Sequence, residues 1–540
     1  MARGAAAMLS RKMPGGCPAR VQRRVRRDTS APMPAPGDDS TWFLSRRLFL
    51  CGVAFVYAIA FGSLALQVQG LFGSRGIAPV AQLLEQIAAQ REGWLWLQFP
   101  TLLWLDCSDA MLSILCIAGT LLAAVAMSGV LPRVLLAACW ILYLSLACVG
   151  YPFLHFQWDA LLLETGLLAI AFAPDGVRPH GRGERAPSRA IRWLVYWLLF
   201  RLLMLSGLLK LCSGDASWRD GTALDFHFWT QPLPHRLSHH AHWMGSWCHA
   251  LSVWLMFAIE VGAPLLLFVP WAQRRCRQVL AGATVFLMVA IAATGNYGFF
   301  NLLTAVLCVP LLDDRAWRAI LRRPLPPTAL PEPPPPRAWR RWVAGSFAAI
   351  AVTATLDCSL ASLAGPDPPA VVAVLHTVAA PVAQLVEPLE SFNPYGLFRV
   401  MTRERPELLI EGSDDGVDWK PYGFRYKPLQ AECAPVFAGL YMPRLDWQLW
   451  FAALAQRLSR ESAWTLGLLQ RLLEGSLPVL DLLGDNPFPA HPPRQVRIRI
   501  AQYTFSTPDE RRAGRWWRVG EAEPYSGAWT LANGELQRVR

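Results

Sequence analysis

The sequence predicts a polytopic α-helical membrane protein: a bundle of about nine spans plus a β-rich C-terminal extramembrane domain with helical insertions. Three observations predict it. Hydrophobic residues fill 53% of the 540 positions and charged residues only 17%, below the quarter usual for soluble globular chains. Several apolar runs approach or reach the roughly 20 residues that a helix needs to cross a bilayer. From residue 391 onward the pattern changes to short segments with a two-residue period between turn residues. The net charge of +12 would fit a nucleic-acid partner if the basic residues formed one patch. Instead they sort by membrane side, and residues 391–540 hold 19 basic against 17 acidic residues, so no nucleic-acid partner is expected.

The elements follow in order. Residues 1–47 carry ten Lys and Arg among Pro, Gly and Ala and read as a disordered basic cytoplasmic leader. Residues 48–312 form the transmembrane bundle, with apolar runs at 48–70, 110–130, 132–154, 155–173, 191–211, 247–270, 276–296 and 297–312. The first is too long for a signal-peptide core and reads as an uncleaved span. The fourth and eighth are short for a bilayer of roughly 30 Å. The Trp-rich stretch from Trp94 to Leu105 reads as interfacial. Residues 313–341 are a Pro-rich cytoplasmic linker, stiffest from Pro324 to Pro336. Residues 342–390 hold the ninth span, 342–363, and a further segment at 369–389. That segment contains His376, Gln384 and three prolines, and is expected to lie in the interface.

Orientation follows from the connecting segments. Those predicted to share a side with the leader, together with the leader, hold 26 Lys and Arg, whereas 71–109 and 212–246 hold four. Basic residues favour the cytoplasmic side. The N-terminus is therefore expected inside, and with an odd number of spans residues 391–540 are expected outside, in the lumen or periplasm. In that last domain Glu407 to Glu411 and Gln495 to Phe505 read as strands. Val496, Ile498 and Ile500 alternate with Arg497 and Arg499, the period of a half-buried strand. Helices are expected near 444–458 and 461–475.

Charges inside spans are costly and draw attention first. At about 1.5 Å per residue, Glu164 lies roughly 13 Å, Arg201 about 15 Å and Glu260 about 20 Å into their spans. These three form a polar cluster near mid-membrane, with Asp159 and Lys210 near the outer ends of their own spans. One reading is a set of structural ion pairs, Arg201 held by Glu164 or Glu260 and Lys210 by Asp159. The sharper one is an outward-facing cavity in which one of these groups binds a ligand or moves a proton.

Six of the ten histidines fall between His227 and His249. His235 and His239 have the i, i+4 spacing of a two-ligand zinc face, but Pro232 and Pro234 interrupt a regular helix and no acidic or Cys ligand completes a site. No metal is therefore assigned, and the segment reads as a polar, solvated loop. The sequence has no G-x-S-x-G, Walker or H-E-x-x-H motif, so an enzyme of a common hydrolase class is not expected, and no cofactor is assigned. In the C-terminal domain Trp447, Trp450, Phe451, Trp516 and Trp517 are candidate contacts for a partner, since aromatic side chains dominate binding hot spots. Taken singly, each is more readily a part of the domain's own core.

Several blocks resemble the lipase maturation factor family: FLHFQWDALLLETG from Phe153 to Gly166, FRLLMLSGLLKLCSGD from Phe200 to Asp215, Trp218 to Asp225, and Thr230 to Pro234. Gly295 to Thr304, NPYGLFRVMT from Asn393 to Thr402, PRLDWQLWFAA from Pro443 to Ala453, and Asn486 to Pro489 resemble it too. The resemblance implies a membrane protein of the endoplasmic reticulum, in eukaryotic members, that acts as a chaperone in the maturation and secretion of homodimeric lipases. The chain has no N-x-S/T sequon and ends in QRVR, which fits a bacterial-type member in the cytoplasmic membrane. The expected partners are a secreted client protein, such as a homodimeric lipase, and membrane lipids. Gly207-Leu-Leu-Lys210 followed by Trp218-Arg-Asp-Gly221 is similar, over fewer positions, to vitamin K-dependent carboxylases. That similarity implies an alternative membrane enzyme using Lys210 as a base, with Asp159 beside it.

Overall fold

The computed structural model describes residues 41–177, 184–322, 338–365, 368–460 and 462–539. The leader before Thr41 and the Pro-rich stretch from Pro324 to Pro336 lie outside the described residues. The helical part comprises α1 (Phe43–Ala65), α2 (Val80–Gln90), α3 (Asp109–Met127), α4 (Pro132–Ala147), α5 (Gln157–Phe172), α6 (Arg189–Cys212), α7 (Ala223–Thr230), α8 (Arg236–His242), α9 (Ser246–Phe257), α10 (Gln273–Thr294), α11 (Phe300–Leu307), α12 (Ala338–Ala364) and α13 (Ala370–Val386). Among the described residues, seven helices are long and apolar enough to cross a membrane: α1, α3, α6, α9 continued to Phe268, α10, α12, and α13 continued to Leu389.

This differs from the nine expected spans in two ways. The apolar runs 132–154 and 155–173 are helices of 16 residues each, joined by a turning connector. Val149, Phe153 and Leu154 in that connector are buried, so hydropathy alone reads it as more helix. The run 297–312 is likewise a short helix, Phe300–Leu311. Conversely, 369–389, expected as an interfacial segment, has the length and apolarity of a span and packs on α12. His376, whose polarity argued against that, bonds Asp357 of α12 at 2.9 Å, while Pro381 sits inside the helix.

Helix α9 is regular only to Phe257; Ala258–Gly262 is a π-type turn and Ala263–Phe268 a 3₁₀ turn. Pro264 explains the change, because it has no N–H to give to the carbonyl of residue 260 and its ring crowds that carbonyl. Glu260 lies in the widened turn.

The basic connectors gather at one end of the bundle. Arg46 pairs with Glu184, Arg133 and Arg340 share Asp175, and Arg274 pairs with Asp313. At that end the Asp314 carboxylate accepts from the backbone of Phe43 and Ser45 at 2.8 and 2.9 Å, capping α1.

The C-terminal domain docks at the other end of α1. Its strands are β1 (Pro406–Ser413), β2 (Lys420–Pro421), β3 (Gln495–Phe505), β4 (Trp517–Val519), β5 (Glu523–Pro524), β6 (Trp529–Ala532) and β7 (Glu535–Arg538). They form one sheet in the order β2-β1-β3-β6-β7, with β4 and β5 also paired to β3. The antiparallel register of β1 on β3 runs from Pro406 opposite Gln502 to Ser413 opposite Gln495. Val496 and Ile498 are buried, whereas Arg497 pairs with Glu411 across the strands at 2.7 Å. Helices α14 (Arg444–Leu454) and α15 (Trp464–Leu473) complete the domain.

One hydrophobic core runs without interruption from Phe49 of α1 to Leu408, Leu445, Leu468 and Val496. The two parts fit closely. A Cβ at Gly70 would meet the carbonyl of Pro478, and one at Gly467 the carbonyl of Ile77. Only glycine permits that approach of backbone to backbone.

Candidate functional site

The charges singled out within the bundle resolve into pairs, two of which reach across to the C-terminal domain. Asp159, in the first turn of α5, is paired with Arg444 in the first turn of α14. Arg444 Nη2 and Nη1 donate to its two carboxylate oxygens at 2.8 and 2.9 Å, and Tyr143 Oη donates to Oδ1 at 2.5 Å. Arg444 Nη1 also donates to the Phe153 carbonyl at 2.7 Å. Beside this pair, Gln67 donates to the Met442 carbonyl and accepts from the Arg444 backbone N–H. Arg444 lies outside the spans. Burial lowers its pKa and the Asp159 carboxylate raises it, and the net shift is above the ordinary value.

Arg201 bonds Glu164, and Tyr395 Oη donates to the other oxygen of Glu164 at 2.6 Å. Arg201 Nη1 also donates to the Asn393 carbonyl at 3.0 Å. The 393–395 segment thus threads between α5 and α6. Asp215 adds a further link, accepting from the Met401 backbone N–H at 2.7 Å.

Lys210 is held by Glu260, donating to its two oxygens at 2.9 and 2.8 Å. The expected pairing of Lys210 with Asp159 is therefore corrected, and Glu260 does not join Glu164 and Arg201 in one cluster. Depth along a span fixes height but not direction around the helix. Gly207, one turn before Lys210 on α6, lies against Val261 and the Cβ of Glu260, which brings the α9 turn close enough for the pair. Lys210 also lies 5.4 Å from the Trp218 ring centroid.

The candidate contact aromatics divide by exposure. Trp447, Trp450 and Trp517 are buried, so their place is in the core: Trp447 packs against Trp158 at 4.8 Å, Trp450 Nε1 donates to the Thr230 carbonyl at 2.9 Å, and Trp517 Nε1 to that of Cys433 at 2.9 Å. Trp516 is half-buried against His239. Phe451 is 45% exposed and lines a cavity of about 260 Å³ with Tyr151, Phe156 and Trp464.

The histidine-rich segment is ordered rather than a solvated loop. Its two prolines separate α7 from α8, and His235 caps α8 by accepting from the Leu237 N–H at 3.3 Å. His235 Nε2 lies 3.3 Å from the Ala292 carbonyl, and His239 Nε2 2.9 Å from that of Ser506. Burial pushes both imidazoles below their ordinary pKa. Among the described residues no three His, Cys, Asp or Glu side chains gather as a metal site. Arg405, fully buried, reaches the same segment: it donates to the carbonyls of Trp229, Gln231 and Pro232 and pairs with Glu407 at 2.6 Å, with Lys427 on the other side of Glu407 at 3.1 Å.

Sequence reasoning missed Arg444, Tyr395 and Arg405 as site residues. The blocks holding the first two were visible, but the Arg444 partner lies 285 positions away, and no local pattern announces it.

Asp446, on α14, is pushed up to about 6 by burial, against the Tyr426 N–H and the charge of Lys427. A carboxyl that binds its proton more tightly folded than unfolded contributes stability below the unfolded value of about 3.9, and loses it as pH rises through the folded value. The difference in stability between the natural protein and Asp446→Asn should therefore shift against the natural protein from pH 4 to pH 7. Thermal midpoints of both proteins across that range measure it; a pH-independent difference contradicts the assignment.

The fold and these contacts define a polytopic membrane protein whose extramembrane sheet domain is fastened to one end of its bundle by the buried Asp159–Arg444 ion pair and by hydrogen bonds from Tyr395 and Met401. Residues 44–319 match the family model described as the lipase maturation factor transmembrane domain, and residues 391–526 the lipase maturation factor C-terminal domain. The chain belongs to the lipase maturation factor family. It is 35% identical to lipase maturation factor 2 of Homo sapiens over 92% of this chain and 84% of that protein. It is 33% identical to lipase maturation factor 1 of Bos taurus, over 90% and 89%. No solved structure matches it.

Proposed function

We propose that the chain is a maturation factor for an exported client of the lipase class, working as a folding or assembly chaperone at the membrane rather than as an enzyme. The observation that carries this reading is the match of both family domains, with relatives named as lipase maturation factors aligned over most of their length. In this reading the end with the basic connectors faces the cytoplasm and the C-terminal domain faces the lumen of the endoplasmic reticulum or the periplasm, where an exported client folds. The Phe451 cavity, with Tyr151 on its rim, is the surface offered to exposed apolar side chains of that client. Both residues are exposed, and although Phe451 rests against Trp447 and Trp450, neither belongs to the buried core, so protein level is the control for their substitution.

The test is co-expression of a secreted homodimeric lipase with the chain in cells that lack it, reading lipase activity per mass of secreted lipase. Activity should depend on the chain and fall several-fold with Phe451→Ala plus Tyr151→Ala while protein level holds. Equal specific activity without the chain sinks the reading. Deleting 391–540 is a poorer test, because it strips Asp159 and Glu164 of Arg444 and Tyr395.

A further inference from the structure

A cleft of about 790 Å³ opens on the domain-bearing end of the bundle, lined by connecting segments, the first turn of α5 and the end of α13. Arg91 and Gln98 come from the stretch after α2, His155 from the α4–α5 connector, and Gln384, Glu387 and Glu390 from the end of α13 and the residues just past it. Its size is within the range of small-molecule sites, about 300 to 1,000 Å³.

Its carboxylates differ from the three singled out inside the bundle. Asp159, Glu164 and Glu260 are each tied to a cation. Glu390 has only His155, at 3.9 Å, and Glu387 has no cation within ion-pair distance among the described residues. Two carboxylates and the Arg91 guanidinium lining one cleft make a pattern for a zwitterion, its positive group taken by the carboxylates and its anionic one by the arginine.

The surroundings select among zwitterions. Trp96 and Leu97 beside Gln98, and Leu385 beside Gln384, are all exposed. The latter belongs to α13, which is apolar, long enough to span and scarcely covered by the rest of the chain. An exposed apolar helix face leading to a polar cleft, with Trp near its mouth, is the profile of a membrane–water interface.

We propose that this cleft binds the headgroup of an ammonium phospholipid such as phosphatidylethanolamine. The ammonium lies between Glu387 and Glu390, the phosphate faces Arg91 and the acyl chains lie along α13. A headgroup donating N–H to two carboxylates is held more tightly than one lacking the ammonium. A free basic peptide would also satisfy the carboxylates but has no use for the apolar face of α13.

The test uses the full chain in mild detergent, exposed to equimolar phosphatidylethanolamine and phosphatidylglycerol, with retained lipid counted by native mass spectrometry. Phosphatidylethanolamine should be retained in about tenfold preference, the ratio of one charge-assisted hydrogen bond. Glu387→Gln plus Glu390→Gln should abolish the preference without moving the thermal midpoint, and Arg91→Gln should reduce retention of both lipids. Equal retention by the natural protein overturns the proposal, as does a preference that survives in the double variant. A lysine-rich peptide that displaces no phosphatidylethanolamine supports it; one that binds in the cleft to a lipid-indifferent protein overturns it. The cleft and the Phe451 cavity share His155 and Phe156, but neither acidic residue nor Arg91 lines that cavity and neither Phe451 nor Tyr151 lines the cleft, so the two sets of variants read lipid preference and client maturation separately.

Discussion

Replacing Arg444 with Met is expected to destabilise the folded protein by about 3–5 kcal/mol, the cost of leaving a buried charge without its partner. Arg444 and Asp159 are both about 1% exposed. Loss of the guanidinium strands the carboxylate with one tyrosine hydroxyl and frees the Phe153 carbonyl. The double variant Arg444→Met with Asp159→Asn removes both charges and should recover much of the loss, because a neutral amide costs far less to bury. Thermal midpoints of the detergent-solubilised proteins, with limited proteolysis to report undocking of residues 391–540, measure both effects. If Asp159→Asn alone left the midpoint unmoved yet abolished client maturation, the carboxylate would have a direct functional role and the fastening argument would fail.

The same geometry explains what the sequence could and could not reveal. The long helices α1, α3, α6, α10 and α12 are legible because a continuous apolar run is a local property, and β1 and β3 because a two-residue alternation is local too. The connector at 148–156 was not, since its apolar residues are buried in the protein rather than in lipid. Nor was the length of α13, whose one histidine is answered by an aspartate on the neighbouring helix. The charges were legible as residues worth attention. Of their partners only one was: Arg201, expected on Glu164 or Glu260, sits on Glu164, whereas Asp159 is satisfied by Arg444 and Glu164 further by Tyr395, from a domain that the periodicity describes as separate. Seen from the sequence alone, charges in spans pointed to ion pairs within the bundle or to a membrane cavity. In the folded chain two of them hold the bundle to the domain.

Lys210 provides the sharpest division between a structural and a chemical role. Lys210→Met should leave Glu260 as an unpaired carboxylate in the irregular turn of α9, with a fall in stability comparable to that at Arg444. Glu260→Gln should do the reverse, stranding the ammonium beside Trp218. Both single variants should therefore lose folded protein, and neither by itself separates the roles. Lys210→Met combined with Glu260→Gln does separate them, because no buried charge remains and the thermal midpoint should return most of the way. If the pair serves only to join α6 to α9, client maturation returns together with the folded protein. If Lys210 acted as a base, the double variant would fold and remain inactive, since methionine cannot take a proton. The geometry favours the first outcome: a base must be free to accept the substrate's proton, whereas Lys210 spends two of its donors on one carboxylate at 2.8 and 2.9 Å.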